Sequence, residues 1–159
     1  MEAGVNPVDV TTWTAELAEH EDTVALGRRL GALLDRGDLV LLSGPLGAGK
    51  TVLVKGIAEG LGVRGRVSSP TFVISRVHPG ERGTLVHVDA YRLGGDALEL
   101  DDLDLDTDLE DAVVVIEWGE GFAERLAEDH LLVRIDRRPD DVREVSLTGL
   151  PRVVAALTG

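Results

Sequence analysis

The stretch Ser43-Gly44-Pro45-Leu46-Gly47-Ala48-Gly49-Lys50-Thr51 decides the fold of this chain. It fits the pattern G-x-x-x-x-G-K-(S/T), in which glycines let successive backbone N–H groups turn towards an anion. An apolar run at 39–42 leads into the stretch, and a helical pattern of apolar residues follows it. Because the motif requires a strand, a loop and a helix in this order, the stretch predicts a site for nucleotide phosphates.

The motif assigns a task to each part of the loop. Lys50 is one of only two lysines in the chain, and in this pattern it reaches the β- and γ-phosphates. The hydroxyl of Thr51 is the expected ligand for Mg²⁺. The predicted ATP contacts within the stretch and just after it are Gly44, Leu46, Gly47, Ala48, Gly49, Lys50, Thr51 and Val52.

Composition limits the classes of protein that fit. The chain has 159 residues, a net charge of −13 and no cysteine. A strongly acidic chain repels the phosphate backbone, which argues against broad nucleic-acid binding by this chain alone. The absence of cysteine excludes disulfides and thiolate metal sites. With no signal-like or membrane-length apolar segment, we expect a cytoplasmic protein without membrane contact.

Two missing residue types narrow the nucleotide chemistry. Asn6 is the only asparagine and the chain has no glutamine. The N-K-x-D motif for guanine is therefore absent, and so is a Ras-type glutamine that positions the attacking water. We expect ATP as the ligand, with Mg²⁺ as its metal.

Apolar periodicity predicts an alternation of strands and helices. The predicted helices cover residues 50–61, a segment from Pro151 onward, and a segment that Asp22 or Thr23 caps and Gly37 ends. This order favours an α/β fold, a three-layer P-loop NTPase-like sandwich with a mostly parallel central sheet and antiparallel additions. One domain over residues 1–159 is the expectation. The predicted strands lie at 8–14, 39–43, 72–78, 85–89, 113–118, 131–136 and 143–147.

Two predicted strands end in an acidic residue. Leu85-Val86-His87-Val88-Asp89 and Val113-Val114-Val115-Ile116-Glu117 are both apolar runs with this ending. In open α/β sheets the ligand lies outside the carboxyl ends of the strands, so both acids can face the phosphate loop. Either of them can hold Mg²⁺. The alternative is that each is a solvent-exposed acidic residue at the end of a strand, without a functional role.

Other stretches carry weaker signals. Ser69-Pro70-Thr71 is extended, since the residue before proline avoids helical geometry, and it lies where switch segments of P-loop proteins fall. Tyr91, Arg92 and Trp118 flank the two acidic strand ends and are candidates for switch or partner contacts. Residues 99–111 hold eight acidic residues, which fit a solvated face or a docking surface for a basic partner but not a calcium loop.

Four motifs in order resemble the TsaE (also YjeE) family, the bacterial P-loop ATPases of tRNA threonylcarbamoyladenosine biosynthesis. The first is the phosphate loop, and the match extends from about residue 22 to 145. The other three are Ser69-Pro70-Thr71-Phe72, His87-Val88-Asp89-Ala90-Tyr91-Arg92-Leu93 and Ile116-Glu117-Trp118-Gly119-Glu120.

The resemblance implies a function and a set of roles. The chain would hydrolyse ATP with Mg²⁺ to support turnover of the TsaB–TsaD complex, and TsaD would transfer the threonylcarbamoyl group, so contact with tRNA would be indirect. Thr51 and Glu117 would hold Mg²⁺, and Lys50, Asp89 and Glu117 would be catalytic. Asp22 and Asp136 would approach the nucleotide. Pro45, Val52 and Gly119 depart from the residues usual in the family, and Pro45 offers no N–H to a phosphate.

Two other functions fit the phosphate loop. A P-loop small-molecule kinase is the enzymatic alternative, although the acidic stretch at 99–111 suits an arginine-bearing lid poorly. A nucleotide-gated binding module with negligible turnover is the non-enzymatic one. Because glutamine and an evident arginine finger are missing, we expect weak ATPase activity without partners.

Overall fold

Strand β2, Leu39–Ser43, lies at the centre of a seven-stranded sheet in the computed structural model of the chain. The structure describes residues 12–45, 48–64, 75–89, 110–117 and 129–158. All five residues of β2 are buried, as the apolar run of its first four residues predicts. The other strands are β1 Thr12–Leu17, β3 Ser75–His78, β4 Thr84–Asp89, β5 Ala112–Glu117, β6 Leu131–Arg137 and β7 Arg143–Thr148.

The sheet has a parallel centre and antiparallel edges. Its strand order is β1-β7-β6-β2-β5-β4-β3, and β6, β2, β5 and β4 run parallel. The hairpin β6–β7, the outer strand β1 and the edge strand β3 add antiparallel pairs. The predicted α/β class with a mostly parallel centre is therefore confirmed.

Helices α1, His20–Leu33, and α2, Lys50–Gly60, pack tightly against each other. Their contact is made by glycines, because Gly27 and Gly31 of α1 face the backbone of α2 at Gly56 and Gly60. Leucine, valine and isoleucine side chains of both helices form one buried core with β2, β5 and β6, which the C-terminal helix α3, Pro151–Thr158, extends.

Several predicted boundaries were wrong. Helix α1 begins three residues earlier than the Asp22 cap predicts, because Asp22 accepts a hydrogen bond from the Glu19 N–H at 2.9 Å and Glu19 is the capping residue. Leu34 ends this helix, and Gly37, with φ of +93°, lies in the turn that leads to β2. The described part of the first strand runs from Thr12 to Leu17, beyond the predicted end at residue 14.

In the ranges that the structure describes, no helix is long and apolar enough to span a membrane.

Candidate functional site

The phosphate loop joins β2 to α2 and depends on two glycines with positive φ. Gly44 has φ of +148° and Gly49 has φ of +109°. A Cβ atom at Gly44 would lie 2.2 Å from the carbonyl oxygen of Ile135 in β6, far inside van der Waals contact. Gly49 caps α2, and its carbonyl accepts the N–H of Leu53 at 3.0 Å. These constraints explain why the motif has glycine at both positions.

Lys50 begins α2 and is buried with its amine turned back into the loop. Its Nζ donates to the carbonyl oxygens of Gly44 at 2.5 Å and Pro45 at 2.9 Å. Burial lowers the pKa of Lys50, while the negative charges of Glu117 and then Asp89 act to raise that pKa. Because these two charges act on the amine, the acids lie within electrostatic reach of the loop.

Asp89 and Glu117 end adjacent parallel strands. They are direct partners in the register of β4 and β5, and Glu117 is also level with Leu42 near the end of β2. Their side chains share the sheet face that packs against α1 and α2, because Leu42 and Val115 on that face belong to the same core. Glu117 is buried and Asp89 is half-buried.

A second buried polar residue contacts Glu117. The Nε2 atom of His87 in β4 lies 2.5 Å from Oε2 of Glu117, and the two side chains are 0% and 6% exposed. The other ring nitrogen of His87, Nδ1, is buried and has no hydrogen-bond partner within the part of the chain that the structure describes. His87 therefore holds one oxygen of the carboxylate at the end of β5.

Arg143 of β7 supports the loop from its other side. Its Nε donates to the carbonyl oxygen of Ala48 at 2.9 Å, and its Nη1 donates to the carbonyl oxygen of Asp141 at 2.8 Å. Asp141 also accepts from Nη2 of Arg137 at 2.6 Å. The hairpin β6–β7 thus places two guanidinium groups beside the start of α2.

A cleft of about 270 Å³ opens next to this arginine pair. It runs from the start of α1, across Gly49 of the loop and Val52 in the first turn of α2, to the β6–β7 hairpin. This size is close to the lower end of volumes that hold small-molecule ligands. The residues that line it are Leu17, Ala18, Glu19, His20, Thr23, Gly49, Val52, Arg137, Asp141 and Arg143.

The oxygen ligands near the loop fit Mg²⁺ bound together with a nucleotide. Glu117 offers a carboxylate at the end of β5, and Thr51 carries its hydroxyl on the first turn of α2. Among the described residues, no three His, Cys, Asp or Glu side chains are grouped to hold a metal by themselves. Mg²⁺ usually takes one or two carboxylates together with water and substrate phosphates, so such a group is not required.

The structure brings the central predicted residues together. Lys50, Asp89 and Glu117 converge on the loop, and Gly44, Ala48 and Gly49 are the predicted ATP contacts that lie in its described part. Thr51 and Val52 follow in the first turn of α2, where both are partly buried. The other predicted residues, Leu46, Gly47, Ser69, Pro70, Thr71, Tyr91, Arg92 and Trp118, lie outside the described residues.

Asp22 and Asp136 lie away from these residues. The carboxylate of Asp22 accepts the N–H of Glu19, while the neighbouring Thr23 faces the cleft. Asp136 accepts from Arg134 at 3.0 Å on the opposite face of the sheet, where it lines a separate polar cavity of about 570 Å³. Their roles towards a nucleotide stay predictions.

Sequence reasoning did not assign a role to His87 or Arg143. The two-residue period of a strand places His87 on the same face as Asp89, which is a usable signal. Arg143 lies 95 residues from Ala48, and no local pattern connects the two. The cleft residue His20 also gave no signal, because only the fold brings the start of α1 to the loop.

Comparison with known proteins gives a consistent result. The family model "Threonylcarbamoyl adenosine biosynthesis protein TsaE" matches residues 17–145. A Streptomyces coelicolor protein named tRNA threonylcarbamoyladenosine biosynthesis protein TsaE is 63% identical over 131 residues, which cover 79% of this chain and 88% of that protein. A Bacillus subtilis protein of the same name is 38% identical over 131 residues, covering 82% and 81%. The crystal structure of Bacillus subtilis YdiB superposes with a TM-score of 0.74 at 33% identity, covering 87% of this chain and 86% of that one.

Proposed function

The chain belongs to the TsaE family of threonylcarbamoyladenosine biosynthesis proteins, and on that premise we propose that it is a Mg²⁺-dependent ATPase of tRNA modification. The observation that carries the proposal is the buried amine of Lys50, enclosed by the phosphate loop and within reach of the charges of Glu117 and Asp89. A buried lysine beside two acids at the carboxyl edge of a parallel sheet suits a phosphate chain with a metal ion.

Binding of the triphosphate uses groups that already surround the loop. In the described state Lys50 donates to two loop carbonyls, and the phosphate oxygens offer it stronger, charge-assisted hydrogen bonds. The loop N–H groups and the N-terminus of α2 add partial positive charge at the same place. Because Pro45 has no N–H, the anion relies more heavily on Lys50 and on the other amides.

Hydrolysis requires a metal and a positioned water molecule. Thr51 and Glu117 would hold Mg²⁺, which neutralises charge on the β- and γ-phosphates when it is bound. Asp89 is paired with Glu117 in register but is less buried, so its carboxylate is suited to orient the attacking water. Arg137 and Arg143 line the adjoining cleft, which suits the nucleoside end of ATP.

The biological role that we propose is to support the TsaB–TsaD complex. The named relatives belong to threonylcarbamoyladenosine biosynthesis, and a chain with a net charge of −13 is better suited to act on a protein that handles tRNA than on tRNA directly. We expect a low rate of ATP hydrolysis for the isolated chain and a higher rate with TsaB and TsaD.

The test compares the two lysines of the chain. Lys50→Ala should lose Mg²⁺–ATP binding and should not restore threonylcarbamoyladenosine in tRNA of cells depleted of this protein. Lys55→Ala, an exposed position on α2, should behave as the parent. Binding is measured by calorimetry, and the modified nucleoside is measured by mass spectrometry of digested tRNA.

Two outcomes would contradict the proposal. If depleted cells keep normal threonylcarbamoyladenosine, the chain has no required role in that modification. If Lys50→Ala binds and hydrolyses Mg²⁺–ATP like the parent, the site has been assigned to the wrong residues.

A further inference from the structure

The contact between His87 and Glu117 is the one polar pair buried under the carboxyl edge of the sheet in the described ranges. His87 is fully buried in the middle of an apolar strand, and only 6% of the Glu117 side chain is exposed. A buried polar side chain persists when a hydrogen bond compensates its loss of water. Here the compensating contact joins β4 to β5 next to the phosphate loop.

The chemistry of the contact identifies the donor. An ionised carboxylate oxygen only accepts hydrogen bonds, so Nε2 of His87 is the donor to Oε2 of Glu117 at 2.5 Å. The other ring nitrogen, Nδ1, is buried and has no hydrogen-bond partner among the described residues, so Glu117 is the polar group that the ring contacts there. The carboxylate is therefore fixed through one of its two oxygens.

We propose that His87 is a positioning residue, which holds Glu117 so that its second oxygen, Oε1, faces the Mg²⁺–nucleotide. This inference rests on the proposed function. Glutamate has several rotatable bonds, and at a strand end it adopts many orientations unless a partner restricts them. Since the hydrogen bond to His87 takes Oε2, the oxygen left for the cation is Oε1.

A purely structural role for His87 leads to a different expectation. In that case, replacing the ring would change stability while the dependence of nucleotide binding on Mg²⁺ stayed as in the parent. A positioning role affects the metal-dependent part of binding, because hydrogen-bonding partners of metal ligands typically alter metal affinity by about 10- to 100-fold. The two roles are thus separated by a binding measurement that requires no catalysis.

The test uses two substitutions of similar length. His87→Gln keeps an N–H donor close to the position of Nε2, and His87→Met removes it. The affinity of a fluorescent ADP analogue is measured for the parent and both variants, in EDTA and over a series of Mg²⁺ concentrations. Circular dichroism reports whether each variant is folded.

We expect the three proteins to bind the analogue alike in EDTA. With Mg²⁺, we expect the parent to bind the analogue more tightly than in EDTA. His87→Met should need about 10- to 100-fold more Mg²⁺ to reach the same gain in affinity. His87→Gln should recover most of the Mg²⁺ response of the parent. If His87→Met responds to Mg²⁺ as the parent does, the positioning role is refuted while the nucleotide site stands. If the parent itself binds no nucleotide, the proposed function fails and this inference fails with it.

A second measurement is made on the parent protein. Nitrogen-15 NMR distinguishes the two ring nitrogens of each histidine, and comparison with the spectrum of folded His87→Gln assigns the signals of His87. We expect a proton on Nε2 of His87 and a shift of both ring-nitrogen signals when Mg²⁺–ADP is added. A proton on Nδ1 instead would overturn the proposal, because Nε2 would then have no proton to donate to the carboxylate.

Discussion

At the scale of single residues, the phosphate loop depends on side chains that the sequence places far away. Arg143 lies on the second strand of the β6–β7 hairpin and donates to the carbonyl oxygen of Ala48 at 2.9 Å. This bond fixes the loop directly before Gly49, the glycine that caps α2. The loop is therefore held at Gly44 by contact with β6 and at Ala48 by β7.

We predict that Arg143→Ala weakens nucleotide binding without unfolding the chain. A hydrogen bond with a charged partner contributes about 1.5–3 kcal/mol, so its loss should reduce affinity for Mg²⁺–ADP by roughly tenfold or more. Calorimetry measures the affinity, and Arg152→Ala is the matched control because Arg152 pairs with Asp38, away from the loop. Unchanged affinity in Arg143→Ala would show that Arg143 does not support the phosphate loop.

We also predict that His78 makes folding sensitive to mild acid. Burial lowers the pKa of His78 below its ordinary value of 6.5, and the nearby His87 and Arg76 lower the pKa further. The unfolded chain takes up this proton more readily, so the stabilisation is complete above about pH 6.5 and is lost as pH falls towards the lowered pKa.

The measurement is urea unfolding between about pH 5 and pH 8. The parent should lose stability on acidification more steeply than His78→Gln, by no more than about 1.4 kcal/mol per pH unit for this one proton. Above about pH 7.5 the free energies of unfolding of the two proteins should change with pH in parallel, which serves as the internal control. Equal slopes below pH 6.5 would contradict the prediction.

Sequence patterns predicted which residues lie at the loop and at the strand ends, but they did not predict the hydrogen bonds that hold these residues in place. The motif located Lys50, and the rule that ligands lie at the carboxyl ends of strands located Asp89 and Glu117. The bond from His87 to Glu117 spans 30 residues and the bond from Arg143 to Ala48 spans 95. Such bonds depend on strand order and register, which local periodicity does not encode.

At the scale of elements, the crossing of α1 and α2 is the tightest contact between described helices. A Cβ atom added at Gly31 would lie 2.3 Å from the carbonyl oxygen of Ile57 and 2.8 Å from the Cα atom of Gly60. Arg82 holds the same pair at its far end, because Nη1 donates to Gly60 at 2.7 Å and Nη2 donates to Ala32 at 3.1 Å. The close approach keeps α2, and with it the phosphate loop, at a fixed position over the sheet.

We predict that Gly31→Ala destabilises the fold although alanine favours helices. The gain in helix propensity is about 1 kcal/mol, whereas overpacking against a rigid backbone costs about 1–3 kcal/mol and both contacts here are with backbone atoms. Because both contacts are with backbone atoms, the cost should lie near the upper end of that range, and we expect a net loss of about 2 kcal/mol in the free energy of unfolding, measured with urea. Ala32→Ser, at an exposed position of α1, should change it by less than about 0.5 kcal/mol.

The elements themselves were largely predictable, and their ends were less so. Continuous apolar runs predicted β2 and β5, because a strand that is buried on both faces does not alternate between apolar and polar residues. The start of α1 was predicted wrongly because its N-cap is Glu19, and glutamate is an uncommon residue at that position. Aspartate is a preferred N-cap residue, so the sequence favoured Asp22. The sequence pattern also could not predict that β1 lies at the edge of the sheet, because its partner β7 lies about 130 residues further along the chain.

At the scale of the whole molecule, charge determines which partners the chain can meet. The net charge is −13, and acidic residues outnumber basic ones by 29 to 16. Many described arginines are paired with carboxylates, as in the contacts of Arg28 with Glu59 and of Arg134 with Asp136. These pairs reduce the positive potential that a polyanion would meet.

The last prediction is that the isolated chain does not bind tRNA at physiological salt, even though its family acts in tRNA modification. Proteins that bind nucleic acid without sequence preference do so at about 10⁻⁴ to 10⁻⁶ M by releasing counterions through lysine and arginine contacts. With its negative net charge, the chain should show no gel shift of tRNA at up to about 10 µM, with or without Mg²⁺–ATP. TsaB and TsaD added to the same mixture should bring the chain into a complex that contains tRNA. A salt-sensitive shift by the chain alone would reveal a basic surface that its composition hides, and would make direct contact with tRNA part of its function.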